Sequence, residues 1–125
     1  MSVTAQQIYK AALAPLYEEV NKDKDYKSFF LEFLNTTLQE CKGVQNSILL
    51  FNELPPIASA PYITDFAEEV PYDDDLTRVA IPYNITSLFF KGDNKAGKSA
   101  EYRAMYIAAL EEYSKAVFTP IENEN

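Results

Sequence analysis

The sequence predicts an all-α domain, a four-helix bundle-like fold with a long second helix and a proline-rich extended connection between the second and third helices. Three observations support this prediction. Apolar residues recur at three- and four-residue steps in four segments. Four of the seven prolines fall within residues 54–71 and interrupt the helical pattern there. A length of 125 residues and a hydrophobic content of 47% suit one domain over residues 1–125.

The first helix is predicted to begin after Thr4. Thr4 and Gln7 have the spacing of a capping box, in which each side chain accepts from the other residue's free backbone N–H. Apolar residues then follow on one helical face as far as residue 20. Pro15 lies inside this pattern and lacks a backbone donor, so we expect the helix to kink or break near Ala14.

The second helix is predicted to begin near Asp25, as its N-cap, and to continue to residue 51. Such a helix has about 27 residues and a length of roughly 40 Å. We favour it over a helix that ends at Gly43 with a short new element after it, because the apolar face keeps its phase past Gly43. The residues of that face are Tyr26, Phe30, Phe33, Leu34, Thr37, Leu38, Cys41, Val44, Ile48 and Phe51.

Residues 54–71 are predicted to be extended, with a short strand at residues 62–64 as one option. The third helix should follow, with Asp73 as its cap, a kink at Pro82 and Gly92 just beyond its end. It carries two apolar stripes, which indicates a helix that is central in the domain or shared with a neighbouring subunit. One stripe comprises Leu76, Val79, Ala80, Tyr83, Ser87 and Phe90, and the opposite one comprises Ile81, Ile85 and Leu88.

The fourth helix is predicted over residues 95–117. Glu111 and Lys115 have the spacing and order of a favourable ion pair on its surface. Its tyrosines are compatible equally with a core face and with an interface, because the ring buries area while the hydroxyl stays wet. The last seven residues read as a loose or partner-docking tail. The apolar face comprises Tyr102, Tyr106, Ala109, Leu110, Tyr113 and Val117.

Composition excludes several classes of function. The net charge of −8 disfavours sequence-independent binding to nucleic acid or to an anionic membrane. Histidine is absent, which removes Ser–His and Cys–His catalysis and most zinc sites. One cysteine cannot form an intramolecular disulfide. The start of the chain lacks a signal-peptide pattern, and no apolar run is long enough for a membrane helix.

Residues 92–99 match the P-loop pattern, with two glycines followed by Lys98 and Ser99. A functional P-loop needs a strand before it, a parallel sheet around it and a later acidic residue for the metal. The preceding residues fit a helical stripe better than a strand, and only 26 residues follow Ser99. We therefore interpret this segment as a solvated turn between helices and expect no enzymatic activity.

Two further features have simple structural interpretations. Asp73, Asp74 and Asp75 splay around a helix start by 100° each, so we expect capping and not a metal site. Cys41 lies on an apolar face and should be a buried, inert thiol. The sequence therefore predicts no catalytic, metal or cofactor-binding residues and no cofactor.

A resemblance to a known family appears in the second half of the chain. Residues 70–76 (VPYDDDL), residues 80–83 (AIPY), Leu88, a short polar turn and an Ala/Tyr-rich helix resemble the head–tail adaptor proteins of tailed bacteriophages, also called connector, head-completion or neck proteins. The first half is similar more loosely, through a short N-terminal helix and a longer helix containing Leu34 and Asn35. Two features depart from the family pattern. Asn84 replaces a small residue, and the turn before the last helix carries lysines in place of acids.

The resemblance implies a virion structural protein that forms a dodecameric ring beneath the portal and joins head to tail. Its expected partners are the portal protein, downstream neck or tail-completion proteins and other copies of itself, with DNA passing through without specific binding and no membrane contact. A monomeric helical protein-binding module, such as a regulator or inhibitor of phage or bacterial origin, is the alternative. Phe118 and Ile121 are candidates for docking to the portal or another partner, and the alternative is that both fold back on the domain's own core. Candidates for the subunit interface are Ile81, Ile85, Leu88, Tyr102, Tyr106 and Tyr113.

Overall fold

A computed structural model describes residues 2–16 and 24–115, with Lys24 and Asp25 described by their backbone alone. Helices dominate this part of the chain, so the predicted all-α fold is confirmed. Strands β1 and β2 add a sheet of two residues each. The elements in order are β1 (Val3–Thr4), α1 (Ala5–Leu13), a 3₁₀ turn (Ala14–Leu16), α2 (Lys24–Phe51), β2 (Glu69–Val70), a π-helical turn (Leu76–Ala80), α3 (Ile81–Gly92) and α4 (Ala96–Tyr113).

The start of α1 has the predicted capping box. The Gln7 backbone N–H donates to Thr4 Oγ1 at 3.2 Å, and the Thr4 N–H donates to Gln7 Oε1 at 2.9 Å. The helix ends at Leu13, and the chain continues into the 3₁₀ turn that contains Pro15. The predicted break near Ala14 is therefore confirmed.

The short sheet was not predicted. Val3 pairs with Val70 and Thr4 with Glu69 in antiparallel register, which ties the start of the chain to the segment before α3. The strand proposed at residues 62–64 is wrong, because these residues are extended without pairing to another strand. Two residues of alternating polarity give too weak a pattern to identify β1 or β2 from sequence.

The long second helix is confirmed. α2 has 28 residues and passes through Gly43 without interruption, so the alternative that ended it there is wrong. It begins at Lys24, which places Asp25 inside the helix and not at its N-cap. The predicted apolar face is buried at Phe30 and Leu34 but not at its end, where Phe51 is 58% exposed.

Two asparagines of α2 fix the proline-rich connection, whose residues 54–64 we call the strap. The Asn46 side chain accepts from the Ile57 N–H at 2.8 Å and donates to the Ile57 carbonyl at 3.2 Å. Asn35 makes the same pair of bonds with the backbone of Ile63, at 2.8 and 2.9 Å. Because each amide satisfies both backbone groups of one residue, the strap runs antiparallel to α2 without belonging to a sheet.

The chain enters α3 through a cap and a wide turn. The Asp73 carboxylate accepts from the Asp75 N–H at 3.0 Å, which confirms the predicted capping role. The π-helical turn follows, with the Ile81 N–H donating to the Leu76 carbonyl. Pro82 comes directly after it, in the first turn of α3. The wider turn accommodates a ring that would clash in a regular helix.

α3 lies at the centre of the domain and packs against α1, α2 and α4. This explains its two apolar stripes, which are covered mostly within the same chain, with Leu88 half-buried. α4 ends at Tyr113, earlier than predicted, and Lys115 lies beyond it. The predicted ion pair of Glu111 with Lys115 is wrong, because Lys115 is not in the helix. Its ammonium instead lies 5.5 Å from the centre of the Phe51 ring. No helix within the described ranges combines the length and apolarity needed to cross a membrane.

Candidate interaction surface

The segment that matches the P-loop pattern crosses the turn between α3 and α4: residues 93–95 form the turn, and residues 96–99 lie in the first turn of α4. Gly92 is the last residue of α3, so the prediction that it lies just beyond the helix end is wrong.

The element before the P-loop match is a helix, whereas a P-loop follows a strand. Within residues 2–16 and 24–115 the only sheet is the antiparallel pair of β1 and β2, which does not adjoin this segment in the sequence. Residues 91–98 are all exposed, and Asn94 takes a left-handed φ of 62°. The Ser99 hydroxyl, which would hold magnesium in a P-loop, lies 3.1 Å from Ser87 Oγ. This geometry matches the predicted solvated turn.

The three consecutive aspartates do not converge. Asp73 caps the helix start, and Asp74 lies 3.7 Å from the Arg78 guanidinium in an exposed i,i+4 pair. No group of three or more potential metal-ligating side chains occurs in the described part of the chain. The aspartates therefore act on the helix terminus, as the sequence suggested.

A polar network that sequence reasoning missed joins α2, α3 and α4. The Arg103 guanidinium donates to Asn84 Oδ1 at 2.7 Å and to Glu40 Oε1 at 3.1 Å. The Tyr106 hydroxyl donates to the same Glu40 oxygen at 2.8 Å, and the Asn84 amide donates to Thr37 Oγ1 at 2.9 Å. The signal available in the sequence was Asn84 itself, a polar residue on a helix that is apolar on two sides.

Cys41 is fully buried beside this network, as predicted. Its Sγ lies 3.4 Å from the Tyr106 hydroxyl. Burial raises the pKa of the Cys41 thiol, and this effect outweighs the hydrogen bond with Tyr106, which lowers the pKa. The resulting pKa is about 11. A thiol with so high a pKa carries almost no thiolate at neutral pH, so it is a packing residue and not a nucleophile.

Three of the six candidates for the subunit interface lie in the core. Ile81, Ile85 and Tyr106 each have 0% exposure, so they offer no surface to another subunit. The reason is the central position of α3, which buries Ile81 and Ile85 within the same chain, and the packing of α4 against it, which buries Tyr106. We therefore withdraw these three as interface candidates.

The other three candidates are partly accessible. Tyr102 packs with its ring centroid 6.2 Å from that of Tyr83 and 5.6 Å from that of Phe90. Tyr113 packs against the edge of the core. Leu88 is half-buried and lines two adjacent surface depressions, so it is the residue of the second stripe that a partner can reach.

The first depression is apolar and has a volume of about 230 Å³. It lies between the start of α2 and the end of α3, and Phe29 at its edge is 52% exposed. The Tyr26 hydroxyl bonds to the Asp93 carboxylate and closes one end. We call this surface the aromatic depression; it is lined by Tyr26, Phe29, Phe33, Leu88, Phe89, Gly92 and Asp93.

The second depression has more polar residues in its lining and a volume of about 480 Å³. It lies between α2, α3 and α4 and contains Glu40, Asn84 and Arg103 of the network. Lys91 also lines it, and no carboxylate of the described residues lies in salt-bridge range of Lys91. Because Glu40, Asn84 and Arg103 are bonded to one another, we assign these three residues of the cleft a structural role.

Two further apolar surfaces are exposed. At the end of α2, Leu50, Phe51 and the adjoining Leu54 are 44%, 58% and 49% exposed, and we call them the α2 end patch. On α4, Met105 and Ile107 are exposed on either side of its outer face. The sequence did not identify either surface. The tail candidates Phe118 and Ile121 lie outside the described residues.

Comparisons of the chain with protein-family models, with curated proteins and with solved structures found no match.

Proposed function

We propose that this chain is a virion structural protein, a head–tail adaptor that forms a homo-oligomeric ring beneath the portal of a tailed bacteriophage. The sequence resemblance in residues 70–88 supports this proposal. Those residues lead into α3 and form most of it, so the resemblance falls on the segment around which the domain packs. In the proposed ring the chain contacts the portal protein and downstream neck or tail-completion proteins, and it belongs to the virion.

The observation that carries the proposal is the presence of separate exposed apolar surfaces on one small chain. The aromatic depression lies between α2 and α3, and α4 exposes Met105 on one flank and Ile107 on the other, as separate contact points. A closed ring is built from heterologous contacts, in which one surface of a subunit meets a different surface of the next. Two distinct surfaces on one chain therefore favour cyclic assembly over a single docking event.

The charge is compatible with a channel for DNA. Each chain carries a net charge of −8, so a ring of many copies would repel the phosphate backbone. Exposed lysines concentrate at the turn between α3 and α4, where Lys91, Lys95 and Lys98 occur within eight residues. In the proposed ring this turn faces a protein partner and not the channel.

The proposal is tested by assembly with a portal. The genes beside this one are sequenced first, because a portal gene and a tail-completion gene there identify the proteins to combine. Native mass spectrometry and electron microscopy of the chain with that portal should then give a ring with the rotational symmetry of the portal. Phe29→Asp and Ile107→Asp should each prevent the ring, whereas Tyr62→Asp, at an exposed residue outside both surfaces, should not.

The alternative, a monomeric protein-binding module, gives the opposite result. A chain that stays monomeric beside the portal and is absent from purified particles contradicts the adaptor proposal. A single copy bound to another phage or bacterial protein would then favour a regulator or inhibitor.

A further inference from the structure

The α2 end patch conflicts with the pattern of its own helix. Helical periodicity places Phe51 on the buried face of α2, yet Phe51 is 58% exposed, and its neighbours Leu50 and Leu54 are 44% and 49% exposed. Three large apolar side chains exposed side by side indicate a surface that another segment covers. We infer that the α2 end patch is a docking surface for residues 116–121 of the same chain.

The path of the chain leads directly to this patch. After α4 ends at Tyr113, the Lys115 N–H donates to Ser47 Oγ at 3.0 Å. The Lys115 ammonium lies 5.5 Å from the centre of the Phe51 ring. The described chain therefore stops one helical turn from Phe51, already in contact with the patch.

The segment that follows has the matching chemistry. Residues 116–121 read AVFTPI, which places Ala116, Val117, Phe118 and Ile121 within six positions. An extended chain advances about 3.4 Å per residue, so Phe118 reaches at most about 10 Å beyond Lys115. That distance exceeds the one helical turn, about 6 Å, that separates Ser47 from Phe51 at the end of α2.

The same distances exclude the aromatic depression on the same molecule as the docking site. Phe29 precedes Phe51 by 22 residues of continuous helix, or about 33 Å along α2. The six residues from Lys115 to Ile121 span at most about 20 Å. A tail that follows its own subunit therefore meets the α2 end patch and cannot reach Phe29.

Docking within one chain also has an entropic advantage over docking between chains. A short tether holds Phe118 near the patch at a high effective concentration, which a second copy must exceed to compete. The inference goes beyond the proposed function and is independent of it, because it concerns the isolated chain. It assigns Phe118 and Ile121 to the chain's own surface and not to the portal.

A spin label on the tail tests the contact directly in the full-length chain. Asn123→Cys supplies the attachment point, and the single native cysteine, Cys41, is buried and does not compete for the reagent. The label should broaden the amide resonances of Leu50, Phe51 and Leu54 in the same molecule. Adding Phe118→Ser and Ile121→Ser should strongly reduce this broadening, to the level that the tether alone produces, whereas Phe29→Ser, an equally exposed aromatic elsewhere, should preserve it.

A mixed sample distinguishes one chain from two. Isotope-labelled chain without the spin label is combined with unlabelled chain that carries it, so that only contacts between molecules broaden the signals. We expect no broadening at the patch in this mixture. Broadening there, or none in either sample, overturns the inference; the adaptor proposal stands or falls separately on the portal experiment.

A thermal melt gives a second readout that does not depend on the label. Replacing Phe118 and Ile121 by Ser should lower the Tm by about 5 °C, the size expected for loss of roughly 1 kcal/mol in a domain of this length. Phe51→Ser should then lower it little further in that background, because the two changes remove the same contact. Fully additive shifts would show that the tail and the patch do not touch.

Discussion

The centre and the end of α2 carry the same apolar pattern but have different surroundings. Phe30, Leu34 and Leu38 are fully buried, and the Phe30 ring lies 5.0 Å from that of Tyr9 and 5.3 Å from that of Phe66. Phe51, predicted on the same face nearly six turns after Phe30, is mostly exposed. Periodicity thus identifies which side chains share a face, while burial depends on which elements pack against that face.

The centre of α2 should therefore be far more sensitive to truncation than its end. Phe30→Ala should lower the free energy of unfolding by about 3–5 kcal/mol, because it leaves a cavity among aromatic rings. Phe51→Ala should lower it by about 1 kcal/mol or less. Urea denaturation of both variants measures the difference, and a change below about 1 kcal/mol for Phe30→Ala would contradict the phase of α2.

The polar network next to the centre should have the next largest effect. Asn84→Ala removes the bonds to Thr37 and Arg103 inside a buried site, which should cost about 1–3 kcal/mol. Thr36→Ala, at an exposed position on α2, serves as the control and should change stability by less than about 0.5 kcal/mol. Equal denaturation midpoints for the two variants would mean that the network contributes nothing.

The strap offers a smaller contrast between the two parts of α2. Asn46→Ala removes both bonds to Ile57, near the end of the helix, and should cost about 1 kcal/mol because the backbone groups of Ile57 can turn to water. Asn35→Ala should cost more, since Ile63 is buried. Hydrogen exchange at the Ile57 and Ile63 amides should increase only in the variant that loses the corresponding asparagine; an increase at both amides in either variant would show that the strap opens as a unit.

The smallest expected effect is a loss of stability that involves Cys41 and occurs only at alkaline pH. The pKa of its thiol rises from 9.0 to about 11 on folding, so above pH 9 the unfolded chain releases a proton that the folded chain retains. The free energy of unfolding should therefore fall as the pH rises from about 9 to about 11. Burial also raises the pKa of Tyr72 and Tyr106, which acts in the same direction.

Denaturation of Cys41→Ala separates the thiol from the tyrosines. This variant should lose less stability than the natural chain over the same pH interval, although it starts from a lower value because of the cavity. An identical slope in both proteins would mean that Cys41 does not contribute to the alkaline loss.

The adaptor proposal and the α2 end patch concern different regions of the molecule, the segment around α3 and the end of α2. The resemblance lies in the segment around α3, where most side chains are covered within the chain. It therefore concerns packing inside one subunit more than contacts between subunits. The patch lies at the end of α2, where packing is incomplete in the described residues. Evidence for assembly must therefore come from the exposed surfaces, the aromatic depression above all, which among the residues that carry the resemblance includes Leu88.

Local features were determined by the sequence alone. The capping box at Thr4, the break at Pro15, the uninterrupted length of α2 and the cap at Asp73 each depend on groups within a few residues of one another. Backbone hydrogen bonds in a helix join residues four apart, and a proline or a cap changes only the bonds within about one turn of it. Such interactions leave a short-range pattern that can be read without knowledge of the fold.

Contacts between distant segments were decided only by the tertiary structure. The pairing of Val3 with Val70 and the bonds of Arg103 with Glu40 and Asn84 join residues that share no local pattern. The sequence showed that α3 has two apolar stripes, but only its central position settled that Ile81 and Ile85 face the chain's own core. The physical reason is that amphipathicity specifies that a face must be covered, whereas the relative placement of whole elements specifies what covers it.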